Sequence, residues 1–343
     1  MRKIGKKLAA VLLVLVIAVT GTACTQSGKT SAQSLDQMIA QTADALQDAL
    51  GQEEGIETGS STADWTALVC ALAGKKEETY LTELEQTIDS QYAKKGYLSD
   101  VKATEYHRTA LTILALGGDP TNVTGNGEPI NLVADGTWNF PGDSPGLQGA
   151  NGLIYALLLL DSKNYETPQA DLREQYIEEL LTYQKESGAF CIDNSLDGDV
   201  DITAMALQAL APYQEDVSVQ EAVDSAGNWL CAQMTESAGF DNSGTVSAES
   251  SAQVVLALCA LGTDPAEDTQ FVKNGQNVLD GLNQYRRKDG MYMHESTDEK
   301  ANIMATYQSL LALEAVQKQR TRQQWIFDFS DQGSGTEEQT EGN

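Results

Sequence analysis

The side chains with the most chemical potential lie in DGDVDITAMALQAL, residues 197–210, where Asp197, Asp199 and Asp201 run into an apolar segment opening with Ile202 and Thr203. A carboxylic acid at the edge of such a segment can stay protonated and deliver a proton, provided neighbours shape its affinity. The same aspartates suit a plainer task, accepting from the free N–H groups at a helix start. For Asp201 the expectation is that capping is the main role. The two histidines, His107 and His294, stand apart from any Asp-x-Cys pair, and the five cysteines show no zinc-cluster spacing, so no metal centre is expected. Cys70 in ALVCALA and Cys259 in LALCALG sit in apolar helical runs and read as small core residues. Cys191 and Cys231 stay open to pairing or to free thiols.

The elements that hold these residues repeat. A glycine followed by an aromatic recurs at Gly96, Gly136, Gly188, Gly239 and Gly290, most of the steps being about fifty residues. Each is followed by an apolar helix: TALTILALG, LIYALLLLD, TAMALQALA, VVLALCALG and YQSLLALEA, with DWTALVCALAG ahead of the first. Helices apolar nearly all round are buried on most sides. The segments between them are amphipathic; DLREQYIEELLTYQ puts Leu172, Tyr176, Ile177, Leu180 and Leu181 on one stripe. Six buried helices alternating with six amphipathic ones predict an all-α protein, an α6/α6 toroid of two concentric rings. Residues 118–147 carry too much Gly, Pro and Asn for a regular outer helix.

The ends read differently. Arg2, Lys3, Lys6 and Lys7 precede the apolar run LAAVLLVLVIAVTGTA, which ends at Cys24. This predicts a lipoprotein signal over 1–23, lipidation of Cys24, a polar tether over 24–33, a toroid over 34–330 and a disordered tail over 331–343. The expected location is the outer face of the cell membrane, reached through an N-terminal lipid. A net charge of −28 excludes nucleic acid as a partner.

On these residues, chiefly GDVDITAMALQALAPY and ANIMATYQSLLALEA, the chain from about 34 to 320 resembles the prenyltransferase and squalene-oxidase repeat superfamily of α6/α6 toroids. Class II terpene cyclases of that group carry Asp-x-Asp-Asp-Thr-Ala. Here Asp201 falls on the acid, but Ile202 replaces its neighbouring aspartate. Prenyltransferase β-subunits hold zinc with Asp, Cys and His, and that set is missing. The thioester toroids need Cys-x-Glu-Gln, which Cys231-Ala232-Gln233 does not supply.

In character the chain is most similar to the non-catalytic cobalamin carriers, intrinsic factor and transcobalamin. That resemblance implies corrinoid contacts from Asp201 in VDITAMA and Gln253 in SSAQVVLAL. Internal repetition adds Gln308, and the same rim adds Asn151 and Tyr155. Amides supply donors and acceptors for the corrin's peripheral amides, an ionised Asp accepts from them, and His294 or His107 is placed to approach cobalt.

The expected protein is a ligand-capturing lipoprotein with no cofactor of its own and no chemistry. Its ligand is a corrinoid or another small molecule, and its partners are a lid protein or a transporter. The carriers' smaller β domain has no counterpart here. The second reading is a protein- or glycan-binding scaffold. The third is a cyclase-like or glycan-cleaving enzyme using Asp201, in the latter case with Glu249 or Glu105 as the second carboxylate.

Overall fold

The computed structural model describes residues 33–51, 56–124 and 129–331. The signal segment, Cys24, most of the tether and the tail beyond 331 lie outside the described residues. Among those described, twelve helices run in pairs. These are α1 (Leu35–Leu50) with α2 (Ser61–Leu72), α3 (Tyr80–Lys95) with α4 (Ala103–Ala115), and α5 (Leu132–Gly136) with α6 (Ala150–Ser162). The second half follows with α7 (Leu172–Leu181) and α8 (Val200–Leu210), α9 (Val217–Ala232) and α10 (Ala248–Ala260), and α11 (Val278–Asn283) and α12 (Ile303–Arg320).

The even-numbered helices form the inner ring. Each packs on the next, α2 on α4 and so on to α10 on α12, and α12 returns to α2, closing the circle. Burial follows sequence character. In α10 every residue from Ala248 to Cys259 is buried, whereas α1 buries only the stripe Ile39, Thr42, Ala43 and Leu46. The irregular stretch 118–147 yields the single-turn α5, as its composition predicts. Two short antiparallel hairpins, pairing Asp241–Asn242 with Thr245–Val246 and Val272–Lys273 with Gln276–Asn277, are the only paired strands among the described residues.

The joint that closes the ring is stitched in the same way as the one between α7 and α9. The turn at Gly188 has φ +95° and packs against Ser225 of α9 so tightly that a Cβ would lie 2.5 Å from its carbonyl oxygen. The turn at Gly290 has φ +96° and packs likewise against Gln41 of α1, where a Cβ would lie 2.9 Å from the carbonyl oxygen. Thr42 donates to the Gly290 carbonyl (3.0 Å), and the Gln41 amide to that of Lys288 (2.9 Å). In the repeat between them the left-handed position falls on Ala238 (φ +61°), one residue before the glycine that the repeat pattern picked out.

Two buried acids shape the interior. Asp64 of α2 is fully buried, accepting from Tyr80 (2.8 Å) and from the Arg108 guanidinium of α4 (2.9 Å). Glu314 of α12 is buried with neither carboxylate oxygen partnered. Burial pushes its carboxyl well above the ordinary glutamate value, with Lys318 opposing. Cys70, Cys191, Cys231 and Cys259 form no disulfide. The Cys70 thiol is pushed up to about 12, mainly by burial.

Candidate functional site

All six inner helices start at one end of the ring, so their first turns converge on one mouth. Four starts are capped by side chains: Ser60 for α2, Asp199 for α8, Ser247 for α10 and Asn302 for α12. Neighbouring repeats tie the helix starts together. Gln148 accepts from the Thr104 amide of α4 at 2.9 Å, and the Ile192 carbonyl from Ala150 of α6 at 3.1 Å. Asn242 accepts from Val200 of α8 at 3.3 Å, and the His294 carbonyl from Ala248 of α10 at 2.9 Å. Gly149 is required at the start of α6: its φ of +66° and ψ of −155° suit glycine alone, and a Cβ would lie 1.8 Å from the Ile192 oxygen.

The cap of α8 is Asp199, whose Oδ1 accepts from the Ile202 amide at 2.9 Å. This corrects the capping role expected for Asp201, which lies inside the first turn and points inward instead. Asp199→Ala should therefore cost about 1 kcal/mol, while Asp201→Ala should show no loss of a helix cap. Parallel urea titrations check this; a full cap's loss in the Asp201 variant would return the cap to that residue.

A cavity of about 120 Å³ opens on the ring axis below the mouth. Its walls are Trp65 of α2, Tyr155 of α6, Asp201 and Met205 of α8, Gln253 of α10, and Tyr307, Gln308 and Leu311 of α12. Four of these sit at one depth, six residues past the helix cap: Tyr155 from Gly149, Met205 from Asp199, Gln253 from Ser247 and Gln308 from Asn302. On α4 the equivalent residue is Arg108, six past Lys102, and its guanidinium bonds Asp64.

Three amides link side by side across the inner helices. Gln208 donates to Gln253 Oε1 at 2.9 Å, and Gln253 donates to Gln308 Oε1 at 3.0 Å. Trp65 and Tyr155 come together with ring centroids 5.9 Å apart, and the Tyr155 hydroxyl points to the Met205 sulfur at 3.6 Å. Asp201 Oδ1 is buried and unpartnered. Burial raises the Asp201 carboxyl above its ordinary value and the charges of Asp199 and Glu249 add to this, against hydrogen bonds from Ser250 and Asn242. Burial also pushes the Tyr307 hydroxyl up to about 12.

Of the residues singled out from sequence, Asp201, Gln253, Gln308 and Tyr155 thus share one cavity. Asn151 and His294 do not line it. Asn151 lies one turn nearer the mouth on α6, its Oδ1 buried and unpartnered. His294, in the loop before α12, holds Glu249 Oε2 through Nδ1 at 2.8 Å, and that bond raises its pKa. His107 is buried against the Gly136 carbonyl, 2.6 Å away, and burial lowers it to about 4. Trp65, Met205, Tyr307 and Leu311 were not foreseen. Counting six residues from each cap would have found Met205, but the caps themselves had to be known. No group of three or more His, Cys, Asp or Glu among the described residues is arranged to hold a metal ion.

No protein-family model matches the chain, and no curated protein does. Among solved structures it is similar to Candida albicans protein geranylgeranyltransferase-I complexed with GGPP, at 14% identity and a TM-score of 0.57. The match covers 84% of this chain and 95% of that one. At that identity the likeness is one of fold alone, and it agrees with the closed double ring: the chain is an all-α toroid.

Proposed function

We propose that the chain is a lipid-anchored, extracytoplasmic binding protein that captures a corrinoid at the mouth of its toroid and performs no chemistry on it. The observation that carries this reading is the axial cavity: amide-lined, aromatic-walled, and containing a buried Asp201 oxygen with no partner. At about 120 Å³ it lies well below the ~300–1,000 Å³ of sites that swallow a whole small molecule. A corrin therefore rests across the mouth and sends one amide arm inward, its N–H meeting Asp201 Oδ1 between Trp65 and Tyr155.

The rim suits a broad ligand with apolar flanks. Val101, Leu147, Ile192, Leu196 and Met304 are exposed in the first turns of inner helices or the loops leading into them. Large exposed apolar side chains gathered on one face mark a contact surface. Whatever they leave uncovered is available to a lid protein or a transporter. His294, with Nδ1 committed to Glu249, keeps Nε2 for cobalt, the arrangement by which a carboxylate orients a histidine ligand.

The enzyme readings find less support. A glycan-cleaving pair needs two carboxylates roughly 5–9.5 Å apart with room for sugar and water. The Glu249 carboxylate is held by His294, and Glu249 does not line the cavity.

Isothermal titration of the chain from Ser34 onward with cyanocobalamin and with its base-lacking precursor tests the proposal. The expected result is a Kd of about 1 μM or tighter for at least one of them, weakened about tenfold or more by Gln253→Ala. Absence of heat with both, with or without an added lid protein, rejects corrinoid capture and leaves the apolar rim as a protein-docking face.

A further inference from the structure

A second, larger cavity of about 380 Å³ lies at the opposite end of the inner ring, where α6 and α8 finish. Leu158 and Ser162 of α6 and Gln208 of α8 form its inner wall, and the chain that follows α12 brings in Trp325, Phe327 and Asp328. That strap is held firmly. Phe329 donates its amide to the Ser162 carbonyl at 2.7 Å, Ile326 and Phe327 are buried, and the Trp325 and Phe327 rings meet edge to face at 6.0 Å.

The polar groups of this cavity divide into committed and uncommitted ones. Arg173 gives Nε to Asp161 at 2.8 Å and its NH2 group to the carbonyls of Leu160 and Tyr165. The Tyr213 hydroxyl donates to the same aspartate at 2.8 Å. The guanidinium is thus neutralised in place, and Asp328 at the edge disfavours an anion. Against this, the indole Nε1–H of Trp325 is buried with no acceptor. An indole nitrogen can only donate, so nothing but an incoming acceptor satisfies it.

We propose that this back cavity binds a small neutral molecule presenting a carbonyl acceptor beside an apolar group, the chemistry of an acetamido substituent, with Trp325 Nε1–H as its donor. The carbonyl oxygen takes the orphaned N–H, the methyl side packs on Leu158 and Phe327, and the rest of the ligand meets Asn164 and Gln208. The volume falls in the ordinary range for small-molecule sites, roughly 300–1,000 Å³. The site is distinct from the mouth cavity, which it meets only through the Gln208–Gln253 hydrogen bond. Acetamido groups reach such a site from two sources, N-acetylated sugars and acylated peptides.

Nitrogen-15 spectra of the tryptophan indoles provide the test, since the chain has four tryptophans and the Trp325 signal is the one that Trp325→Phe removes. N-acetylglucosamine or N-acetylalaninamide should move that signal saturably and downfield while leaving the Trp65 signal in place. Glucose, which lacks the acetamide, should not move it. Response to the sugar alone, to the peptide alone or to both identifies the source. Trp325→Phe, which keeps an aromatic ring, should weaken binding at least tenfold. If that variant does not fold, Phe replacements of Trp65, Trp138 and Trp229 assign the signal by elimination. The proposal is overturned if neither acetamide shifts Trp325 at concentrations on the order of 50 mM, well above the millimolar range of weak ligands. It is equally overturned if glucose acts like the acetamides.

Discussion

Asp64→Ala is expected to destabilise the toroid by about 3–5 kcal/mol, the usual cost of breaking a buried ion pair from one side. The carboxylate is fully buried between two inner helices and gathers three donors: Arg108 at 2.9 Å, Tyr80 at 2.8 Å and Thr109 at 3.4 Å. Arg108 adds a bond from its NH2 group to the Gly59 carbonyl, so α2, α3, α4 and the loop ahead of α2 meet at one acid. Removing it strands a guanidinium whose side chain is 12% exposed and a tyrosine hydroxyl with it. Thermal melts should show a fall of roughly 10 °C, given about 2–4 °C per kcal/mol for a domain of this size. The double variant Asp64→Leu/Arg108→Met removes both charges and should recover most of the loss. A single variant that melts within a degree of wild type would show that the pair contributes nothing to holding α2 against α4.

The second large effect has the opposite sign. Glu314→Leu should stabilise the protein by about 1–3 kcal/mol, because both oxygens of a buried carboxyl lack partners and a hydrocarbon of similar size needs none. The gain depends on pH. Burial raises the folded-state pKa of Glu314 well above the ordinary glutamate value. Over the interval between the two values the native state holds a proton that the unfolded chain has released, so this residue's contribution falls as pH rises, by up to about 1.4 kcal/mol per unit. Wild type should lose stability from about pH 4.3 upward relative to the variant, and the difference should be larger at pH 8 than at pH 5. Urea unfolding of both proteins at those pH values measures it. Parallel pH curves would mean that Glu314 reaches solvent in the folded state.

Much of the fold could be read from residue patterns alone, because burial imposes them. VVLALCALG cannot face water on any side, while the α1 stripe of Ile39, Ala43 and Leu46 can bury only one face of its helix. The site was legible where the repeat places equivalent residues at equivalent depth, as for Gln253 and Gln308. It was not legible where the answer depended on a turn of backbone. Asp199 and Asp201 flank Val200 and are equal as caps by residue type. Asp199 takes the position because its own amide is fixed on the Phe190 carbonyl at 3.0 Å, and this sets where the helix begins. Pairings between helices were out of reach for a similar reason. Asp64 meets Arg108 44 residues away, and Gln208 meets Gln253 45 residues away, only because each inner helix is rotated to present that face. Trp65 and Tyr307 were hidden because aromatic residues in an apolar run look like core until a cavity is found beside them.

The joint between α1 and the last repeat makes the toroid a test of its own length. Gln41 waits for Lys288, 247 residues downstream, and Asp36 for Gln317, 281 residues downstream. A ribosome delivers α1 first and the turn and helix of its seam last, so the apolar stripe on α1 is covered only in part, by α2, until nearly the whole chain has emerged. Contacts this distant in sequence also form slowly. A chain cut short at any point before α12 therefore keeps two sticky edges and presents them to chaperones and proteases. A full-length chain hides both in a single late step, and completeness becomes a property that quality control can sense from the outside.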